Sequence, residues 1–475
     1  MNNLLYSAIK KSLLGRFSTY IIQFLSLAIY ARIFTPEQFG ILASIQVFVV
    51  FFQMIAEIGI GPAIINEEKF NSKQRDGIFT ITLILGILLG VGFYIFSYAL
   101  NSFYGDYEYQ SIAVIIGASI IFYTLNIVPT TAFNKDAEFI KIAKINILSE
   151  ILSFIAVYIL YLLNFGIIAL VFRGLVQSIL SFLFFLKGSK NTTLGRPMFG
   201  KEVFHIKKIA RFASYQFGFN VINYFSRNLD NILIGKYLGM VSLGIYDKAY
   251  QLMRYPLLIT TFAMTPAIQP ILTKLRNDVD KIVEEHNKLT MRLLLISLLI
   301  SSFLYVNSNN IVLLLFGQQW EAVIPLLKIF SLMIPIQAVL STSGSFYQVM
   351  NKPKLLFISG SLSALVNVIA IVIGIYSRNL EVIACALFIS FSINFIQCYT
   401  IMFKFSFIRS PISFIYGLFK ASVLSFFPIF LYVMLNQYLD KYVPQELLLN
   451  LSINVILAVF SLAIFYKVIK DICFK

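Results

Sequence analysis

The sequence predicts an all-α polytopic membrane protein with about 14 transmembrane helices, and three observations carry that expectation. Of 475 residues, 59% are hydrophobic and only 13% are charged, more apolar surface than a soluble domain of this size needs. The apolar residues come in successive runs of the length that crosses hydrocarbon, about 20 helical residues each. The runs also lack the period-two alternation that a transmembrane barrel requires.

Taken in order, the expected spans are 13–34, 40–63, 78–100, 111–133, 145–163, 166–186, 209–235, 243–270, 290–306, 321–349, 355–376, 381–403, 412–435 and 446–469. The first is expected to be kept, because no small-residue cleavage site follows its apolar stretch. Pro325 and Pro335 fall inside the tenth and are expected to kink it. The net charge of +16 would suggest a nucleic-acid partner in a soluble protein. Here 28 cations fall in alternate connections and only Arg32, Lys236, Arg378 and Lys441 in the others. That asymmetry predicts cytoplasmic termini by the positive-inside rule and excludes nucleic acid as a partner.

Catalytic material is scarce. Cys385, Cys398 and Cys473 lack metal-ligand spacing, and His205 and His286 fall in predicted loops. No glycine-rich phosphate loop is present. The chain is therefore expected not to be an enzyme and to hold no cofactor.

The longest connection, 187–208, "KGSKNTTLGRPMFGKEVFHIKK", reads as a basic cytoplasmic linker with a short interfacial helix. It divides an N-terminal lobe, 1–186, from a C-terminal lobe, 209–404, and the last two spans occupy 405–475. The lobes repeat. "ARIFTPEQFGI" (31–41) aligns with "GKYLGMVSLGI" (235–245), pairing Arg32 with Lys236 and Gly40 with Gly244. Pro62 pairs with Pro266 and Asp76 with Asp280 at the same offset. Paired six-helix lobes are typical of transporters that bind between their halves.

Polar residues enter the spans in stripes. Gln216, Asn220, Asn223, Arg227 and Asp230 recur at helical spacing on the seventh span. Ser12, Arg16, Thr19, Gln23 and Ser26 match them on the first. The second span carries Gln46, Gln53 and Glu57, with Glu57 placed near its outer end. The eighth carries Asp247, Tyr250 and Arg254, with Lys248 to one side. Glu150, Arg173, Lys328 and Lys420 stand alone on other spans. A charge facing lipid costs at least about 2.5 kcal/mol, so these groups are expected to line one hydrated cavity shared by the lobes, or to pair. Arg227 and Asp230 could pair with each other for packing alone. Arg16, Arg254 and Lys420 could instead snorkel to the surface. The cavity charges nearly balance, and the planar fork of arginine suits phosphate oxygens.

The pattern "ARIFTPEQFGI…EIGIGPAII" resembles the first two helices of bacterial polysaccharide flippases, and "NLDNILIGKYLGMVSLGIYDKAYQL" resembles their helices 7 and 8. That family exports O-antigen, capsule, colanic acid and teichuronic acid repeats, and shares a superfamily with multidrug exporters and the lipid II flippase. Glu57-Ile58-Gly59 stands where the family often has Asp-Leu-Gly. The resemblance implies an oligosaccharide on undecaprenyl diphosphate as substrate, moved by alternating access across the bacterial cytoplasmic (inner) membrane, with polysaccharide polymerase machinery as a partner. On this reading Arg227, Arg254, Arg173, Arg16 and Lys328 are candidates for the diphosphate, and Asn220, Asn223 and Gln53 for sugar hydroxyls. Glu57, Asp230, Asp247 and Glu150 are candidates for a coupling H+ or Na+. The alternative is a cation-coupled multidrug exporter of the same superfamily. A glycan polymerase would need a large outer loop, and 101–110 and 306–320 carry no cation.

Overall fold

The computed structural model describes residues 2–57, 59–67, 70–203, 206–260, 268–269, 272–439 and 447–473. Of residues 2–14, 16, 66, 206–220, 222, 259–260, 274, 439 and 465–473 only the backbone is described. The described residues form helices and no strand. They fall into two compact units, Met1–Leu243 and Gly244–Lys475.

The first unit holds α1 (Asn2–Ile33), α2 (Pro36–Glu57), α3 (Ile60–Asn66), α4 (Ser72–Tyr104), α5 (Tyr109–Leu125), α6 (Ile127–Lys135), α7 (Phe139–Leu162), α8 (Ile167–Gly188) and α9 (Ile206–Tyr237). Next comes α10 (Met240–Thr260), whose first turn belongs to this unit. The second unit adds α11 (Val279–Val306), α12 (Ser308–Leu315), α13 (Val323–Leu340), α14 (Ser343–Val349), α15 (Pro353–Tyr376), α16 (Leu380–Ile401), α17 (Ile412–Leu439) and α18 (Leu447–Cys473). Eleven of the spans formed by these helices are long and apolar enough to cross a membrane, and Phe17–Ile33 is a shorter apolar helix. The expected spans 209–235 and 243–270 overlap α9 and α10, which are not among the eleven, and 261–267 and 270 lie outside the described residues.

Local chemistry sets the helix starts. Asn71 caps α4 by accepting from Gln74 N–H at 2.8 Å, and Gln74 Oε1 accepts from Asn71 N–H at 3.1 Å, a reciprocal capping box. Asp278 caps α11 through Lys281 N–H at 3.0 Å, and Asn379 caps α16 through Glu381 N–H at 2.8 Å. The repeat is visible in the element bounds: α1 ends at Ile33 and α9 at Tyr237, while α2 starts at Pro36 and α10 at Met240. Both pairs keep the offset of the sequence alignment.

Small residues set the close approaches. A Cβ on Gly90 would lie 2.8 Å from Gly117 O, and one on Gly117 would lie 2.8 Å from Gly90 O. With Gly86 one turn earlier, α4 and α5 therefore meet almost backbone to backbone, the use of small residues expected where lipid supplies no hydrophobic drive.

The structure corrects or refines four expectations. The second span stands as Pro36–Ile65, but its helix is interrupted: α2 ends at Glu57, Gly59 adopts φ 69°, and α3 follows. The tenth span keeps both its prolines within one helix. Pro325 lies in the first turn of α13, where an N–H is not needed, and the helix continues through Pro335 to Leu340 before a turn at Ser341–Thr342. Pro335 cannot donate to Ser331 O one turn back, and the Ser301 hydroxyl on α11 donates to that carbonyl instead, at 2.7 Å. His286 is not in a loop. Capping by Asp278 starts α11 early and turns the imidazole inward, fully buried among Phe346, Tyr399, Phe403, Phe407 and Phe414. His205 lies outside the described residues.

The fourth concerns the linker. Beyond one 3₁₀ turn at Ser189–Asn191, residues 192–203 form a largely irregular strap whose last residue opens a further 3₁₀ turn, and 204–205 lie outside the described residues. The strap lies along the first turns of α4. Asp76 accepts from Met198 N–H at 2.9 Å, Thr80 Oγ accepts from Gly200 N–H at 2.8 Å, and Arg75 donates to Leu194 O. Asp136 accepts from Thr193 N–H at 2.7 Å. A Cβ on Gly77 would lie 2.1 Å from Glu202 O, so no side chain fits beneath the strap. Gly77→Ala is expected to free it. Overpacking of this kind costs about 1–3 kcal/mol, and cleavage of a transiently open segment follows its open population. Tryptic cleavage at Lys201 is therefore expected to speed up by about tenfold. An unchanged cleavage rate would contradict the close approach.

Candidate functional site

Two polar stripes lie in the first unit, on α9 and α2. Aromatic residues fix how α9 sits. The Tyr224 hydroxyl donates to Val47 O of α2 at 2.7 Å, and the Phe225 ring lies 5.1 Å from Phe51. At 100° per residue, Asn223 and Arg227 fall on a side of α9 turned away from that contact. Arg227 is exposed and makes no hydrogen bond or ion pair with any described residue, and Asn223 is half-buried. Asp230, three residues on, is buried, and its Oδ1 accepts from Asn231 N–H at 2.8 Å. No ion pair joins Arg227 to Asp230, so the two do not neutralise each other on α9.

On α2, Gln46 and Glu57 are exposed and Gln53 is half-buried. Their spacing places them on one face, again away from Val47 and Phe51. Glu57 accepts a hydrogen bond from the Tyr123 hydroxyl of α5 at 2.5 Å. It is the last residue of α2, ahead of the connection that carries Lys69, Lys73 and Arg75.

Arg173 and Glu150, expected to serve separately, meet. Arg173 on α8 and Glu150 on α7 form an ion pair at 2.6 Å, with the Glu150 side chain 1% exposed and Arg173 28%. The guanidinium also lies 5.3 Å from the centre of the Tyr30 ring of α1, a cation–π arrangement. Tyr30 Oη, Ser149 Oγ, Glu150 Oε2 and Arg173 Nε are buried without a hydrogen-bond partner. This pair binds three helices of the first unit around one buried charge couple.

In the second unit Asp247 is engaged by its neighbour. Lys248 donates to Asp247 Oδ2 at 2.8 Å and to Gln251 Oε1 at 2.9 Å, and is itself only 4% exposed. Arg254 on α10 and Lys328 on α13 are exposed and have no side-chain partner among the described residues. The side chains of Arg16, Asn220 and Gln216 lie outside the described residues. Tyr30, Tyr123 and Gln251 contact the predicted charges and were missed, because a lone Tyr or Gln in an aromatic-rich span carries no periodic signal.

Among the described residues no group of His, Cys, Asp and Glu could hold a metal ion. The fold and the stripes thus define a multi-pass helical membrane protein with arginine and carboxylate side chains held inside its spans. The chain belongs to the polysaccharide biosynthesis protein family, whose model matches residues 29–325. It is 25% identical to the teichuronic acid biosynthesis protein TuaB of Bacillus subtilis (strain 168), over 79% of this chain and 77% of that one. It is 22% identical to the lipopolysaccharide biosynthesis protein WzxC of Escherichia coli (strain K12), over 80% and 76% of the two chains. Its fold is similar to that of the lipid II flippase MurJ in an inward closed conformation, with a TM-score of 0.78 and 18% identity over 98% of this chain and 99% of that one.

Proposed function

We propose that the chain is a flippase that carries an undecaprenyl-diphosphate-linked oligosaccharide repeat across the bacterial cytoplasmic membrane by alternating access, for surface polysaccharide synthesis. The observation that supports this most is the guanidinium of Arg227, on a helix expected to be a span, exposed and without a described partner. A cation kept in a membrane without a counterion needs an anion for part of its working cycle, and a diphosphate offers oxygens that fit the arginine fork. Arg254 and Lys328 are the next candidates on the same grounds, while Arg173 is committed to Glu150. Asn223 and Gln53 have the donors and acceptors to bond sugar hydroxyls.

A sugar head group cannot cross hydrocarbon without replacement hydrogen bonds, whereas its prenyl tail needs none. The protein's task is to supply a polar path for the head while the tail stays in lipid. No bond is broken, so no catalytic residue is assigned. Coupling to H+ or Na+ falls first to Glu57 on this reading, because Asp247 and Glu150 already have basic partners. Both termini are cytoplasmic, and a polysaccharide polymerase receives the product. The test is to delete the gene and locate the prenyl-diphosphate glycan. Accumulation on the cytoplasmic leaflet is expected; accumulation on the outer leaflet would refute a flippase role.

A further inference from the structure

We infer that the strap at residues 192–203 is a docking surface for anionic phospholipid headgroups, which hold it against the bilayer. The strap leaves the end of the apolar span Ile167–Asn191 and is fixed against the start of the span Ser72–Tyr104. It therefore lies level with the ends of two membrane helices, where headgroups begin.

Its side chains suit that layer. Met198 and Phe199 are 63% and 65% exposed. Their exposure is imposed by the backbone: Met198 N–H goes to Asp76, and Gly200 gives N–H to Thr80 and accepts from its hydroxyl at 2.8 Å. Phe199 covers one ring face on Phe79, with centroids 5.1 Å apart, and leaves the rest uncovered. The strap and the helix ends it joins carry Lys73, Lys187, Lys190, Arg196 and Lys201, all exposed and without a described ion-pair partner. Of the nearby acids, Asp76 and Asp136 are used to hold the strap, and Glu202 alone on the strap is an exposed acid. An apolar pair that enters the acyl boundary, on a segment rich in unpaired cations, is the arrangement that favours anionic over zwitterionic lipid.

The experiment uses the full chain reconstituted in phosphatidylcholine vesicles containing phosphatidylglycerol. Trp320 is the only tryptophan and is fully buried, so the emission added by F199W, after subtraction of the parent protein, reports on the strap. Phosphatidylglycerol with brominated chains is compared with brominated phosphatidylcholine at equal mole fraction. The brominated phosphatidylglycerol is expected to quench F199W about twofold more strongly. Adding K190Q, R196Q and K201Q, exposed residues with no described partner, is expected to remove that excess without changing the fold. Equal quenching by the two lipids, no quenching by either, or an excess that survives the three substitutions would each overturn the assignment. M198W serves as a second reporter with the same expected outcome.

Discussion

Replacing Arg227 with alanine is expected to cut surface glycan display severely while the protein still reaches the membrane in normal amount. The side chain has no described partner to lose, so its removal leaves no orphaned charge and little effect on stability follows. Its contribution is to the passing anion. A charge-assisted hydrogen bond contributes about 1.5–3 kcal/mol, so transport falls by roughly 10- to 100-fold. Arg227→Lys keeps the charge but loses the two-pronged geometry, and an intermediate rate is expected. Full activity of the lysine variant would assign the role to charge alone, and normal display by the alanine variant would remove Arg227 from the mechanism. Asp230→Asn is expected not to rescue Arg227→Ala, because the two side chains are not paired. Rescue would restore the packing-pair reading.

Glu150→Ala is expected to be the most destabilising of the charge removals, for the opposite reason. It leaves the Arg173 guanidinium partly buried beside Tyr30 with no counterion. Breaking a buried pair from one side costs about 3–5 kcal/mol, whereas replacing both partners with apolar residues of similar volume is often close to neutral. The double variant Glu150→Leu, Arg173→Met is therefore expected to recover most of the thermal stability that Glu150→Ala loses in detergent. If the pair only fastens α1, α7 and α8 together, the double variant also retains transport. A stable double variant that cannot transport would return Arg173 or Glu150 to the transport cycle.

What the sequence made legible follows from physics that acts locally. The span order came from hydropathy and loop charge, and the two-lobe repeat survives in matching ends of α1 and α9 and matching starts of α2 and α10. The stripes on α2 and α9 were readable because helical periodicity alone places Gln46, Gln53 and Glu57, or Asn223 and Arg227, on one face. Partnership was not readable. Glu150 and Arg173 are 23 residues apart on separate helices, and only tertiary packing brings them to 2.6 Å. The break at Gly59 and the way α13 accommodates Pro335 are not legible for a related reason. A proline is tolerated when a neighbouring helix supplies the missing donor, and the Ser301 hydroxyl does so. The close contact of α4 and α5 did have a signal, Gly86 and Gly90 four residues apart in "GILLG", a spacing that marks helix approach in membranes. His286 was assigned to a loop because its neighbours are charged. Those charges occupy the outer face of α11, and the imidazole fills the aromatic core of the second unit.

The most direct measurement is transport by the purified protein in sealed vesicles. A fluorescent oligosaccharide on undecaprenyl diphosphate is placed in the outer leaflet, and its loss from an impermeant chemical quencher is followed with time. Wild-type protein is predicted to protect the label much faster than empty vesicles do, and Arg227→Ala is predicted to match the empty vesicles. Protection at the wild-type rate by Arg227→Ala, or no protection by the wild type, would contradict the account.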